Sequence, residues 1–191
     1  HGLVAFLLGD DTAKHEGRLT LNPIPHIDPV GTILIPGALF LLGTGFLFGW
    51  AKPVPYNPYN LKNQKWGPSM VGIAGPGTNL VIALIFALII RFTPGLPPDF
   101  IVFLGIIVYG NIILGVFNLL PIPPLDGSKV LYAIMPPSFA KVQYFFDRYG
   151  FFILLFIIIY GGRFLGAIIL FFGFLFLGEE TSFIILDALG S

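Results

Sequence analysis

Long uncharged runs alternate with short polar segments along this 191-residue chain. Crossing a bilayer takes about 20 apolar residues in a helix, because hydrocarbon offers no hydrogen bonds to an exposed backbone. The runs long enough for this predict spans over residues 30–50, 69–90, 100–120 and 149–178. The pattern therefore predicts an all-α membrane protein, a polytopic bundle of transmembrane helices in a single domain covering residues 1–191.

Two of the four runs depart from a simple helix. The prolines of the segment 121–124 are expected to end the third helix near Leu120, because proline lacks the N–H that a helix needs. The fourth run is too long for one upright span, and Gly-Gly-Arg at 161–163 lies at its centre. It predicts either one strongly tilted helix or two short helices that meet there.

The polar segments between the runs predict short interfacial structure. Apolar and polar residues alternate over Gly17–Asn22, which is typical of a short strand. The segment 51–68 is rich in Pro and Asn and predicts an extended loop, with its Trp and Tyr residues at headgroup level. Residues 1–8 predict the end of a helix that stops at Gly9. Because the first residue is not Met, we expect the helix to start upstream of the sequence given.

Composition supports a membrane location. Hydrophobic residues make up 55% of the chain and charged residues only 10%, whereas a soluble domain averages about 25% charged residues. The mean hydropathy is +0.88. Equal numbers of basic and acidic residues argue against nucleic-acid binding, which needs a clustered basic excess. The chain has no cysteine, which excludes a disulfide scaffold, a thiolate metal site and a cysteine nucleophile.

The distribution of Lys and Arg predicts an orientation. If the four spans simply alternate, segments 51–68 and 121–148 share one side and carry six Lys and Arg residues. Segments 9–29 and 91–99 then share the other side and carry three. Cytoplasmic loops are enriched in Lys and Arg. This count predicts that 51–68 and 121–148 face the cytoplasm.

Asp126 is the first candidate functional residue, at the end of a long uncharged run. An ionised carboxylate at such a position is costly unless a partner compensates it. The prolines before it free backbone carbonyls, which membranes tolerate where the backbone lines a cavity. The alternative is a helix-terminal Asp that caps the next helix at Ser128, and the residues alone leave both interpretations open.

Short motifs follow one another in a fixed order along nearly the whole chain: HGLVAFLLGD at 1–10, TAK at 12–14, GRLTLNP at 17–23, HIDPVG at 26–31, GWAKPVP at 49–55, AGPGTN at 74–79 and NLLPIPPLDG at 118–127. This series resembles the site-2 protease family of intramembrane zinc metalloproteases. The closest resemblance is to the small prokaryotic members without a PDZ domain. The ordered series is specific, although any one motif alone would be weak.

The resemblance implies a zinc ligand set. In that family a helix carries His-Glu-x-x-His, and His1 falls on its second histidine. Residues i and i+4 lie on one helix face and can hold one metal ion. The third ligand falls on Asp126, and the Glu is the general base for peptide hydrolysis by a zinc-activated water. That Glu and the first His would precede His1, so the chain as it stands is expected to be inactive.

The same resemblance implies that Asn118 and Asn79 contact substrate, a transmembrane protein. Asn118 matches a family residue that positions substrate near the zinc, but its amide is equally suited to bond the carbonyls freed near Pro121. Asn79 follows small residues that favour close helix packing, and for this residue a structural role is the stronger interpretation.

The remaining polar residues carry weaker expectations. His15 and His26 lie in a polar loop and are expected to be solvated rather than to bind a second zinc. Arg163 is expected to reach an interface, pair with a carboxylate or mark a helix break. Neither a serine-hydrolase motif nor a phosphate-binding loop is present.

Three functions remain open on the sequence. The first is an intramembrane zinc metalloprotease in a prokaryotic cell membrane, in contact with lipid and a transmembrane substrate. The second is a small transporter or channel with a broken-helix site at Asp126. The third is an inactive homologue that binds membrane helices without cutting them. The residues just before His1 would separate these hypotheses.

Overall fold

The computed structural model describes residues 1–20, 22–43 and 49–190. The chain divides into two compact units, His1–Gly67 and Pro68–Ser191. All regular structure in the described ranges of both units is helical, and no β-strand occurs there. The all-α prediction is therefore confirmed, while the prediction of a single domain over 1–191 stays a prediction.

The first unit contains short helices joined by polar turns. They are α1 (Gly2–Leu7), α2 (Thr12–His15), a 3₁₀ turn at Ile24–His26, a π-helical turn at Pro29–Leu34 that continues into α3 (Ile35–Leu41), and a second 3₁₀ turn at Pro58–Asn60. Residues 51–56 between them have no regular structure, as expected for a Pro-rich segment.

The strand predicted over Gly17–Asn22 is absent; residue 21 lies outside the described residues. Gly17 instead has a φ of +65°, which turns the chain away from α2. The Arg18 N–H donates to the Ala13 carbonyl at 2.8 Å. The buried Arg18 guanidinium donates to the carbonyls of Pro25, Lys52 and Pro53, at 2.5, 2.8 and 3.2 Å. The apolar–polar alternation therefore reflects a buried arginine that ties loops together.

The segment 30–50 also differs from its prediction. Among the described residues of this segment, helical structure covers Pro29–Leu41, which is short for a crossing. The chain turns at Gly43, whose φ is +61°. The Trp50 N–H then donates to the Gly31 carbonyl at 3.1 Å, and the Thr32 hydroxyl donates to the Trp50 carbonyl at 2.9 Å. The two ends of the segment are therefore neighbours, and the described residues do not form a straight span. Residues 44–48 lie outside the description.

The second unit is built on long apolar helices. Three of them are long and apolar enough to cross a membrane: α4 (Gly67–Phe92), α5 (Pro98–Asn118) and α7 (Ala140–Leu177). Helices α4 and α5 match the spans predicted over 69–90 and 100–120. Helix α7 is continuous through 161–163, so of the two predicted forms the single long helix is the one observed. The shorter α6 (Gly127–Ile134) and α8 (Glu179–Gly190) complete the unit.

Small residues let these helices pack closely. A Cβ atom added at Gly105 on α5 would lie 2.6 Å from the Ile185 side chain of α8. One added at Gly173 on α7 would lie 2.5 Å from the Tyr109 hydroxyl. The buried core between α4, α5, α7 and α8 includes Ile112, which is fully buried. Close approach of this kind is how helices associate in lipid, where no hydrophobic force draws them together.

Candidate metal and substrate site

The proline-rich loop after α5 folds back on itself. A Cβ atom at Gly127 would collide with the backbone carbonyls of Leu119 and Leu120, so only glycine allows this closure. Ile122 and Leu125 are buried in one apolar cluster with Leu154 of α7. The loop is therefore a packed element of the second unit, and it fixes the backbone at Asp126.

Asp126 occupies the residue before α6 but does not cap that helix through its side chain. Its Oδ1 accepts a hydrogen bond from the Lys129 ammonium at 2.7 Å, and its side chain is 18% exposed. The Ser128 hydroxyl donates to the Leu125 carbonyl at 2.7 Å instead. The helix-capping interpretation of Asp126 therefore lacks its defining hydrogen bond, and the carboxylate pairs with a cation.

Two contacts locate this loop along α7. A Cβ atom at Gly150 would lie 2.5 Å from the Pro123 carbonyl oxygen. The Tyr132 hydroxyl donates to Asp147 Oδ1 at 2.6 Å. Burial raises the pKa of Tyr132, and the nearby Asp147 carboxylate raises it further. Pro123 and Tyr132 flank Asp126 in the sequence, and they contact α7 at Gly150 and Asp147. We therefore expect Asp126 to lie near the part of α7 where its charged first turns give way to its long apolar stretch.

The two predicted substrate-binding amides have different surroundings. Asn118 ends α5, and its Nδ2 donates to the Leu114 carbonyl of the same helix at 2.9 Å. This bond lies within α5 and not at the carbonyls freed near Pro121, so the substrate-binding and the structural role of Asn118 both stay predictions. Asn79 is half-buried on α4, seven residues after Gly72 and thus on the same face. A Cβ atom at Gly72 would lie 2.9 Å from the Asp126 carbonyl oxygen. Asn79 therefore lies on the α4 face that meets Asp126 two turns earlier.

His1 belongs to the first unit, at the start of α1. Its carbonyl accepts the Ala5 N–H at 2.9 Å, so it begins the helix. A Cβ atom on the next residue, Gly2, would lie 2.8 Å from Leu19 and 3.3 Å from Val54. The irregular segment 51–56 therefore lies beside the first turn of α1 at Val54.

A buried carboxylate that the sequence did not single out joins α1 to the same loop. Asp10 is fully buried and accepts hydrogen bonds from the Asn57 N–H at 2.7 Å and from Asn60 Nδ2 at 2.9 Å. The Thr12 hydroxyl adds a third at 2.5 Å. Burial by itself raises the pKa of Asp10, but these hydrogen bonds outweigh it and hold the pKa below its ordinary value of 3.8. The only sequence signal was an Asp next to Gly9, followed much later by two asparagines.

The other two histidines, at the ends of α2 and of the first 3₁₀ turn, bond to nearby backbone carbonyls. The His15 ring lies 2.9 Å from the Asp11 carbonyl, and the His26 ring lies 3.2 Å from the Thr20 carbonyl. Both contacts are exposed. The absence of a second zinc site at these histidines stays a prediction.

The donor types fit zinc, but the described residues do not complete a site. Imidazole nitrogen and carboxylate oxygen are both common zinc ligands, and a catalytic site needs about three protein ligands. Within the described ranges, no three His, Asp or Glu side chains come together in a metal-binding group. His1 and Asp126 lie in different units, and their pairing stays a prediction, as does the third ligand upstream.

Comparisons with known proteins identify related chains. The model of "Peptidase family M50" matches residues 96–157, a range that contains both Asn118 and Asp126. The "Putative zinc metalloprotease YwhC" of Bacillus subtilis is 41% identical over 167 residues, which cover 81% of this chain and 71% of the relative. The "Putative zinc metalloprotease Rip2" of Mycolicibacterium smegmatis is 31% identical, over 83% of this chain and 60% of the relative. No solved structure matches the chain.

Proposed function

Because the chain belongs to peptidase family M50, the site-2 protease family, we propose that it forms the membrane part of an intramembrane zinc metalloprotease. Its substrates would be transmembrane helices, cut within the membrane of a prokaryotic cell. The observation that carries this proposal is Asp126, a carboxylate held at a closed proline loop inside the family-matched segment.

The proposed ligands are His1, Asp126 and a histidine four residues before His1. Zinc in such a site supplies the activation of a water for attack on a peptide carbonyl. The general base would be a Glu three residues before His1. The packed loop before Asp126 supports the role of that residue, since a metal ligand must be held within a fraction of an ångström.

The substrate would approach along the first turn of α1. Gly2 packs against Val54, so the irregular segment 51–56 lies next to the residue that follows His1. The buried Arg18 and Asp10 side chains hold both sides of this segment through backbone hydrogen bonds. A segment held this rigidly supports docking of an unwound substrate strand beside it, the mode in which main-chain bonds give affinity.

The names of both relatives, each a zinc metalloprotease, favour a protease over the transporter alternative. The inactive homologue differs from the protease only in the ligands and the base upstream of His1. The test that separates them is chemical, because an inactive homologue would keep the same fold.

The experiment uses the full-length gene product, purified and reconstituted in liposomes. Its reporter is a single-span protein with an Asn-Pro step in the transmembrane helix, and the matched reporter has Ala-Leu there. We expect a zinc chelator to stop cleavage and added Zn²⁺ to restore it. Cleavage should map inside the span and be faster for the Asn-Pro reporter, since proline exposes the backbone. Cleavage that persists without metal, or that maps only to the soluble flanks, would contradict the proposal, and no cleavage of either reporter would favour the inactive homologue.

A further inference from the structure

Lys129 contacts the carboxylate that we assign to zinc. It lies one turn after Asp126 on α6, and its Nζ donates to Asp126 Oδ1 at 2.7 Å. Side-chain exposure is 28% for Lys129 and 18% for Asp126. An ion pair this sheltered from water is worth more than an exposed one, because solvent screens it less.

The neighbouring helix restricts the lysine. A Cβ atom added at Gly72 of α4 would lie 3.0 Å from Lys129 Cδ, and 2.9 Å from the Asp126 carbonyl oxygen. The α4 backbone therefore lies directly against the aliphatic stem of Lys129. This contact limits the rotamers of Lys129 and directs its ammonium toward Asp126.

We propose that Lys129 is a positioning residue for the metal centre, which holds the Asp126 carboxylate by Oδ1 in the orientation that binds Zn²⁺. This inference rests on the proposed function above. A carboxylate has about four lone-pair sites on its two oxygens, so one N–H bond is compatible with metal binding. Carboxylates that bind a metal are commonly held by such a partner, whose loss costs about 10–100-fold in metal affinity.

A competing role for Lys129 predicts the opposite change in zinc affinity. An ammonium next to a zinc ligand could compete with the cation, and its removal would then tighten zinc binding. The sign of the change in zinc affinity therefore decides between a positioning residue and a competitor.

The test compares Lys129→Met, Lys129→Arg and the control Lys141→Met in the full-length protein. Lys141 lies exposed in the first turn of α7, and no described bond involves its side chain. Zinc affinity is measured by competition with a chelator, and folding by thermal unfolding in detergent. We expect Lys129→Met to weaken zinc binding about 10–100-fold, with Lys129→Arg and Lys141→Met within a few-fold of wild type.

A second pair of variants tests the proposal even if Lys129→Met does not fold. Gly72→Ala should push Lys129 and weaken zinc binding, whereas Gly77→Ala, whose Cβ atom would have 4.0 Å of space, should not. Asp126→Asn is measured alongside. If Asp126→Asn loses zinc but Lys129→Met and Gly72→Ala bind it as wild type or more tightly, the positioning role is wrong and the proposed function stands. If Asp126→Asn retains zinc, the ligand assignment itself fails.

Discussion

The backbone N–H of Trp50 donates to the carbonyl of Gly31 at 3.1 Å, across a segment that the sequence predicts to cross the membrane. A helix that crossed from residue 30 to residue 50 would place these groups about 30 Å apart, at 1.5 Å per residue. The contact means that the chain returns to the level at which α3 started. Leu41 and Leu42, at the end of α3, are 85% and 75% exposed, and we expect these apolar side chains to face lipid.

This contact between Trp50 and Gly31 changes the predicted topology. Residues 9–29 and 51–66 now share one side, because Asp10 and Arg18 bond directly to the 52–60 region. If α4, α5 and α7 each cross a membrane, the order of the chain puts residues 121–148 on the same side as residues 51–66. That side then carries eight of the ten Lys and Arg residues: Lys14, Arg18, Lys52, Lys62, Lys65, Lys129, Lys141 and Arg148. The far side keeps only Arg91, and Arg163 lies within α7. By the positive-inside rule we therefore expect this side to face the cytoplasm, the orientation that the six-to-three count also predicts.

Single cysteines test the topology without background, because the chain has none of its own. Cysteines at Glu16, Asn60 and Ser138 should react with a membrane-permeant reagent in intact cells and resist an impermeant one. A cysteine at Thr93 should react with both. Labelling of Glu16→Cys alone by the impermeant reagent would restore the alternating topology, and labelling of all three would reverse the orientation.

Asp10 should be important for the stability of the first unit. Asp10→Asn replaces one acceptor oxygen by a donor, so it cannot accept from Thr12, Asn57 and Asn60 together. We expect a loss of about 1–3 kcal/mol for the buried groups left unpaired. Asp11→Asn, at an exposed neighbour, should have little effect. Hydrogen exchange of the Asn57 amide reports this directly, and equal protection in the two variants would contradict the role of Asp10.

The same residue predicts a pH dependence. The pKa of Asp10 is lower in the folded chain than the ordinary 3.8, so the folded state binds the proton less readily than the unfolded state. The stabilisation is therefore fully present above about pH 3.8 and is lost as the pH falls through the lower, folded pKa. Protection of the Asn57 amide should persist at pH 5 and decline below pH 3.8. A decline that begins well above pH 5 would mean that another group controls it.

Gly150 should be required for the loop that holds Asp126. In Gly150→Ala the new methyl would lie 2.5 Å from the Pro123 carbonyl oxygen, so α7 or the loop must shift. We expect a loss of about 1–3 kcal/mol, the usual cost of overpacking. Gly162→Ala on the same helix meets nothing within 4 Å and should be neutral or stabilising by up to about 1 kcal/mol through helix propensity. Thermal unfolding of both variants in detergent checks this, and equal stability would show that the loop yields.

The sequence predicted the long apolar helices α4 and α5. Residues 69–90 and 100–120 are apolar over the full width of a bilayer, and prolines mark the end of α5, so length and composition suffice. The segment 30–50 has the same composition but folds back, because its course depends on hydrogen bonds at Gly31 and Thr32 that no hydropathy pattern contains. The prediction of a strand at 17–22 was wrong for a similar reason. The alternation of apolar and polar residues does not reveal that the Arg18 side chain is buried among backbone carbonyls.

The site was predictable only in part. The sequence predicted a functional role for Asp126 because a lone carboxylate after a long apolar run is costly without a partner. Its partner Lys129 follows three residues later in the sequence. The contact of Lys129 with Gly72 of α4, however, is a tertiary contact, which the spacing of residues in the sequence does not predict. Asp10 was missed because its partners Asn57 and Asn60 lie about 50 residues away in the chain.

The most direct test of the account is the zinc content of full-length Asp126→Asn, with cleavage of the Asn-Pro reporter measured on the same sample. Asparagine keeps the size of the side chain but removes the negative charge that binds Zn²⁺. His1→Ala should behave alike, and His26→Ala, at a loop histidine, is the control. The account predicts that Asp126→Asn and His1→Ala stay folded, lose zinc and nearly abolish cleavage, with His26→Ala within a few-fold of wild type. Full zinc content and full activity in folded Asp126→Asn would contradict it.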